Sequence, residues 1–276
     1  IGARAAGPPN SDPNFYARIL LIVIPLAVAY AVVERTRARR IAYAIAAVII
    51  TAGTLVTYSR GAMLAMFVMT ALLLLGLHVR AKHIAYAAAA AVVALLLLPS
   101  NIASRLLTIE TMMPGYTTTF VDYDSSVEKR KLLLASGLAM FDAHPLTGIG
   151  AGNYPRLYLR YANDIGSPWV DYHPAGTQEH PHGLYFAIAA ETGLLGLLSF
   201  GALAVTALVS LHRSRRAFVS RGDRELAVVT MTVSVAIASY LTASVFLHET
   251  HLRYVALYFG FAMALARLAR GEEVAA

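Results

Sequence analysis

The long apolar runs of the chain constrain its fold more than any other feature. An α-helix rises ~1.5 Å per residue, so about 20 apolar residues cross a hydrocarbon core of ~30 Å. Charged residues make up only 14% of the sequence, against about a quarter in soluble domains. We therefore predict an all-α, polytopic membrane protein. The seven predicted spans cover about 14–33, 41–57, 61–78, 83–98, 183–211, 226–247 and 252–268.

Lysine and arginine residues predict the orientation of these spans. Four basic segments hold 13 of the 23 basic residues but only 5 acidic ones, and they are residues 34–40, 80–82, 212–225 and the tail from residue 267. Positive charge collects on the cytoplasmic side of membrane proteins. All four segments fall on one side when the seven spans alternate, so we predict that this side is the cytoplasm. The pI near 9.7 then reflects topology, and we expect no nucleic-acid partner.

Three regions follow from this topology. Residues 1–98 are predicted to form an outward-facing N-terminal segment and four transmembrane helices. Residues 99–182 form one large outward-facing loop, and residues 183–276 form three transmembrane helices and a cytoplasmic tail. Repeated prolines in the loop argue against long helices there, apart from roughly 126–143. We expect short surface helices in that loop.

Charged residues on the outward side are the first candidates for function. Arg60, in the sequence TYSRGA, is predicted to lie at the start of a helix, where a guanidinium and free backbone N–H groups could bind phosphate. An arginine that extends to lipid head groups is the alternative. The basic residues 129–131 are either part of a site or a solvated charge run. The glycine-rich GIGAG lacks the third glycine of a dinucleotide fingerprint, so it is a weak candidate for a nucleotide site.

Histidines gather on the same outward side of the predicted membrane. The four residues His173, His180, His182 and His248 could form a metal cluster, but HETH is not the H-E-x-x-H of a zinc protease. The chain also has no cysteine, which excludes thiolate ligands and nucleophiles. A histidine at a helix mouth is otherwise an interfacial polar residue or a general base, because imidazole exchanges a proton near neutral pH.

Four stretches, taken in order, carry a resemblance to a known family. They are SDPNFYARILLIVIPLA (11–27), TYSRGAM (57–63), EKRKLLLASGLAMFDAHPLTGIGAGNYP (128–155) and HPHGLYFAIAAETGLLGL (180–197). Together with the large outward loop, they resemble the O-antigen ligase and O-antigen polymerase family of bacterial membrane glycosyltransferases. Known members usually have more spans, so the chain resembles the C-terminal part of such a protein, and we expect segments to precede it.

The resemblance implies an activity and a location. Such enzymes move a glycan from an undecaprenyl-diphosphate carrier to an acceptor hydroxyl on lipid A core, a glycan or a protein. They lie in the inner membrane with the active site facing the periplasm. No cofactor or metal is implied, and the transfer inverts the configuration of the anomeric carbon.

The resemblance also assigns roles to particular residues. Arg60 and Arg130 match the family's two arginines, which would bind the diphosphate, and His182 matches the histidine that would act on the acceptor. Tyr185, which follows His182 in the matching stretch, is a further substrate-binding candidate. Arg18 is a candidate for contacting lipid phosphate because of its position about one turn inside the first predicted span. Two positions depart from the family pattern. Gly183 replaces the usual asparagine, and Leu134 stands where tryptophan is common.

Two alternatives stay open at this point. A ligase and a polymerase of the same family differ only in the acceptor, which the sequence does not specify. A transporter is the alternative from another class, and Glu191, inside a predicted span, is the residue it would depend on. The alternative for Glu191 is a buried, hydrogen-bonded carboxyl in helix packing.

Overall fold

The computed structural model of the protein describes residues 13–57, 59–77, 125–166, 179–181, 183–245 and 253–271. Within these ranges helices are the only regular secondary structure, which confirms the predicted all-α class. The helices are α1 Pro13–Val33, α2 Arg37–Val56, α3 Arg60–Gly76, α4 Ser125–Ala143, α5 Tyr154–Asp164, α6 Leu184–Ser220, α7 Arg224–Ala243 and α8 Arg253–Arg270.

Four of these helices are long and apolar enough to cross a membrane, namely α1 over Tyr16–Val33, α2, α6 and α7. A shorter apolar helix, Gly61–Gly76, corresponds to the third predicted span. The 18-residue α8 overlaps the seventh. The fourth predicted span, 83–98, lies outside the described residues, so the count of seven and the extent of the outward loop remain predictions.

The described helices belong to two compact units, and α7 is central to the first. This unit contains α1, α2, α3, α7 and the last residues of α6 and α8. Helix α7 packs against α1 and α3 and buries ten of its residues, whereas α2 buries only Ala47 and Thr54. On α2, Val48 and Ile49 are more than 60% exposed, as expected for a helix that faces lipid.

Polar residues inside α7 bond their own helix. The hydroxyls of Thr230, Ser234 and Ser239 each donate to the carbonyl four residues earlier, at 2.6–2.8 Å. A hydroxyl without a partner is costly in an apolar interior, and this pattern removes that cost locally. Helix α7 can therefore carry buried hydroxyl residues although it lies at the centre of the first unit.

Arginines of the basic segment (residues 212–225) close the ends of two helices in the first unit. Arg215 Nη2 donates to the Gly76 carbonyl at the end of α3 at 2.8 Å. Arg221 Nη2 donates to the Ala269 carbonyl at the end of α8 at 2.7 Å. The last carbonyls of a helix have no intrahelical partner and carry partial negative charge, so a guanidinium is a favourable cap.

The second unit contains α4, α5, most of α6 and the first part of α8. Its core joins Leu133 and Met140 of α4 to Tyr154 and Tyr158 of α5 and Ala190 of α6. The two tyrosine rings lie one helical turn apart, nearly parallel, with centroids 6.4 Å apart. This core holds the two loop helices against α6.

Helix α6 bends sharply at Gly193, where φ is 64° and ψ is −160°. The rings of Tyr185 and Phe200, on opposite sides of the bend, approach with centroids 6.2 Å apart. Fifteen residues of straight helix would separate them by about 22 Å along the axis. The predicted span 183–211 is thus divided into a short first segment and a long second one.

Candidate functional site

A glycine loop (residues 145–153) follows α4 and docks onto the bend of α6. The bend leaves carbonyls before Gly193 and N–H groups after it without helical partners. Backbone groups of the loop bond them at four points, so both ends of the break are satisfied without water. The bonds run from Ile149 N to Ala190 O (3.0 Å), Gly150 N to Glu191 O (2.9 Å), Leu194 N to Pro145 O (2.8 Å) and Leu195 N to Leu146 O (3.2 Å).

This docking depends on glycine at two facing positions. A Cβ on Gly148, whose φ is +65°, would overlap the backbone of Glu191. A Cβ on Gly193 would overlap the backbone of Leu146. Positive φ is also costly for any residue with a side chain. Gly148, the first glycine of GIGAG, therefore serves close backbone contact with α6, a structural role that needs no nucleotide.

Glu191 and Tyr154 connect the three helices of the second unit. Glu191 Oε1 accepts a hydrogen bond from the Tyr154 backbone N–H at 3.1 Å, at the start of α5. The Tyr154 hydroxyl donates to the Leu133 carbonyl of α4. Burial raises the pKa of the Tyr154 phenol, with a smaller contribution from Tyr158, so the phenol stays protonated as a donor. Helices α4, α5 and α6 are thereby fixed to one another.

The hydrogen bond to Tyr154 gives Glu191 a role in helix packing. Its side chain is half-buried and bonds the first N–H of α5, where the helix dipole favours negative charge. This is the hydrogen-bonded carboxyl of the packing interpretation, although it is half-buried where a buried group was expected. The Glu191 carboxylate, on which a transporter would depend, hydrogen-bonds α5 and so joins it to α6.

The two predicted arginines lie at helix positions in different units. Arg60 is the first residue of α3, directly after Ser59, whose hydroxyl caps the helix by accepting from Ala62 N at 3.4 Å. The Arg60 side chain lies outside the described part of the structure. Arg130 is half-buried on α4, three residues before Leu133, so the contacts of Tyr154 fix the part of α4 that carries it.

Arg18 lies inside the first unit. Its side chain is only 2% exposed, although it belongs to an apolar helix. The guanidinium lies 5.3 Å from the centre of the Tyr240 ring on α7, and Nη1 donates to the Tyr240 hydroxyl at 3.4 Å. An aromatic face and a hydroxyl compensate part of the cost of burying the charge.

His182 lies outside the described residues, but its neighbours are placed. The Leu184 N–H donates to the Ser244 carbonyl at 2.8 Å, and Tyr185 is half-buried against Phe200. A Cβ on Gly183 would lie 3.0 Å from the Val245 carbonyl and 2.9 Å from the Phe186 ring. This crowding accounts for glycine where the family usually has asparagine.

The histidines that could form a metal cluster lie mostly outside the described residues. His173, His182 and His248 belong to undescribed ranges, and the fourth member, His180, is half-buried. The cluster therefore stays an open alternative to the expected absence of a metal.

Sequence reasoning missed Tyr154 and the cap formed by Glu191. The residues Asn153, Tyr154 and Pro155 contain a usable signal, because proline favours the first turn of a helix. The prolines of the loop by themselves predict only breaks in helices. The bond to Glu191 joins residues 37 positions apart, and no local pattern indicates it.

In a comparison with protein families, one family model matches more than half of the chain. A family model described as O-antigen ligase matches residues 45–201. This range includes Arg60, Arg130, His182 and Tyr185, and Arg18 lies outside it. A search of curated proteins returned no match. The chain therefore belongs to the O-antigen ligase family, whose members are glycosyltransferase-like enzymes of the membrane.

Proposed function

We propose that the protein transfers a glycan from an undecaprenyl-diphosphate carrier to an acceptor hydroxyl at the periplasmic face of the inner membrane. The family match carries this proposal, since its range contains both arginines and the histidine assigned to the reaction. The basic segments support the orientation, because they leave Arg60, Arg130 and His182 on the outward side. No metal or nucleotide takes part.

In the proposed reaction, the acceptor oxygen attacks the anomeric carbon of the lipid-linked sugar. The bond from that carbon to the diphosphate oxygen breaks, and the diphosphate leaves with the electron pair. His182 takes the proton of the acceptor hydroxyl. Attack opposite the leaving group inverts the anomeric configuration.

Arg60 and Arg130 bind the leaving diphosphate in this proposal. Negative charge grows on the diphosphate as the glycosidic bond breaks, and fixed guanidinium groups stabilise that charge. The position of Arg60 at the first turn of α3 supports this role, since the helix end adds partial positive charge. The firm attachment of α4 through Tyr154 supports a fixed position for Arg130.

Arg18 and Tyr185 are proposed as accessory substrate contacts. Arg18 is 2% exposed and its guanidinium faces Tyr240, so a lipid phosphate would reach it only by entering between α1 and α7. Tyr185 is half-buried beside the mouth of α6, next to the proposed position of the acceptor.

The acceptor distinguishes the two members of the family that the chain could represent. We propose ligation to lipid A core or to a protein as the main activity, with polymerisation of lipid-linked repeats as the alternative. Purified protein in liposomes would be given lipid-linked repeats with and without lipid A core. Capping of the core identifies a ligase and chain growth identifies a polymerase, whereas absence of transfer to any proposed acceptor, a protein included, contradicts the proposal.

A pair of variants tests the role of Arg130. We expect Arg130→Ala to reduce the transfer rate at least roughly 100-fold if it stabilises the leaving group. Lys131→Ala, one position along the same helix and exposed, is the matched control and should retain the rate. Equal rates for the two variants would remove Arg130 from the mechanism.

A further inference from the structure

A polar pocket in the second unit has no assigned role. It has a volume of 350 Å³, at the lower end of the range for small-ligand sites. One wall is a face of α5 formed by residues at helical spacing, and the other is the start of the glycine loop with the end of α4. The lining residues are His144, Gly148, Ile149, Leu157, Arg160, Tyr161 and Asp164.

Both walls of the pocket are held by contacts already described. The loop wall is bonded to the break in α6 through Ile149 and Gly150. The helix wall begins at Tyr154, which bonds both α4 and α6. A pocket whose walls are fixed before binding loses less entropy when it takes a ligand.

The polar groups of the pocket point to one class of ligand. Among the described residues, the side chains of His144, Arg160 and Asp164 form no hydrogen bond or ion pair, and all three are exposed. They offer donors, acceptors and an imidazole around the half-buried ring of Tyr161. A sugar ring has hydroxyls that both donate and accept, and an apolar face that packs on an aromatic ring.

The carboxylate argues against the other obvious ligand. A diphosphate would be attracted by Arg160 but repelled by Asp164, which lies one helical turn further along the same face of α5. A hydroxylated ring uses both residues, the guanidinium as donor and the carboxylate as acceptor. The pocket therefore differs in its charge from the diphosphate site proposed above.

We propose that this pocket binds one sugar unit of the transferred or accepting glycan, away from the reacting bond. The proposal rests on the proposed glycosyl transfer. Arg160 and Asp164 hydrogen-bond the ring hydroxyls, His144 adds a donor or acceptor, and Tyr161 packs against the ring. Binding at a remote unit positions the glycan and selects its composition.

The test measures sugar binding apart from transfer. The full chain in detergent is titrated with two soluble probes, followed by saturation-transfer NMR. One probe is the repeat oligosaccharide released by mild acid from the lipid-linked glycan of the source bacterium, and the other is its lipid-free core oligosaccharide. The variant pair is Arg160→Ala/Asp164→Ala, with Arg156→Ala/Asp142→Ala as the control, because those two exposed residues lie outside the pocket.

We expect the pocket variant to weaken binding of one probe roughly 10- to 100-fold, since two charged hydrogen-bonding groups are lost. The control should bind like the unaltered protein. Loss of binding of the repeat assigns the pocket to the lipid-linked glycan, and loss of binding of the core assigns it to the lipid A core acceptor. In transfer assays the KM for that same substrate should rise by a similar factor.

Two outcomes separate the pocket from the proposed reaction. If neither probe binds, or if both variants bind alike, the pocket proposal is overturned even where transfer proceeds normally. If a probe binds through Arg160 and Asp164 but no glycan is transferred, the pocket remains a sugar site and the proposed reaction is wrong.

Discussion

The glycine loop and the basic segment each supply hydrogen-bond partners to helix ends, the first through its backbone and the second through arginine side chains. The glycine loop bonds the break in α6 because no side chain stands between the two backbones. The basic segment bonds the ends of α3 and α8 because long guanidinium groups extend to their carbonyls. One contact requires the absence of side chains and the other requires their presence.

The two kinds of contact differ in how much structural change they tolerate. A flexible arginine can adjust when its partner moves, and water at an exposed helix end can replace it. Two backbones in direct contact cannot adjust, because any added atom must move a helix. We infer that the docked glycine loop is the more sensitive of the two contacts, and it belongs to the same unit as Arg130.

The largest expected effect comes from adding one methyl group at the break. Gly193→Ala places a Cβ against Leu146 at a backbone conformation that only glycine adopts readily. We expect a loss of about 3 kcal/mol or more in the free energy of unfolding, and an apparent Tm lower by roughly 6 °C or more in detergent. Gly148→Ala should behave in the same way.

Gly201→Ala is the matched control for the substitution at the break. It lies on the same helix with no atom within 4 Å of an added Cβ. Alanine in an open helical position should leave the Tm unchanged or raise it slightly. If Gly193→Ala and Gly201→Ala have the same Tm, direct backbone contact does not hold the loop.

A smaller effect is expected at the basic segment. Arg215→Ala removes the guanidinium that caps α3 and should lower the free energy of unfolding by about 1.5 kcal/mol, the lower end for a charged hydrogen bond. Arg216→Ala, next in the chain and exposed, should change stability by at most about 0.5 kcal/mol. Denaturant or thermal unfolding in detergent measures both. If Arg215→Ala lost more free energy of unfolding than Gly193→Ala, the arginine contact would be the more sensitive of the two.

The smallest effect on stability is expected at Tyr154. Tyr154→Phe keeps the buried ring but removes the bond to the Leu133 carbonyl, at about 1 kcal/mol. Because α4 carries Arg130, we expect the rate of glycan transfer to fall by a larger factor than this loss of stability alone would cause. Glu191→Gln keeps an oxygen acceptor for the Tyr154 N–H and should stay close to the unaltered protein, whereas Glu191→Ala should resemble Tyr154→Phe. An unchanged transfer rate in Tyr154→Phe would show that the hydrogen bond from Tyr154 to Leu133 does not position Arg130 for the reaction.

Local patterns in the sequence predicted much of the helical framework. The motif TYSRGA placed Arg60 at a helix start, and α3 begins at that residue. The helix predicted at roughly 126–143 corresponds to α4, Ser125–Ala143. Such features depend on residues within a few turns of one another, so periodicity and helix-end signals suffice.

The contacts that build the site were not predictable in the same way. The long run that contains Gly193 is mostly apolar, and a single glycine inside a helical pattern does not by itself indicate a bend. The break is stable because a loop more than 40 residues earlier supplies its hydrogen bonds. Likewise, the basic segment predicted topology, but nothing local indicated that Arg215 and Arg221 bond the ends of distant helices.

The most direct test of the proposed function is the transfer rate of His182→Ala beside that of His180→Ala. Both proteins would be purified in equal amounts, placed in liposomes and given lipid-linked glycan with its acceptor. We predict that His182→Ala loses transfer at least roughly 100-fold, as expected on loss of a general base, while His180→Ala retains it. Undiminished transfer by His182→Ala would contradict the proposed mechanism.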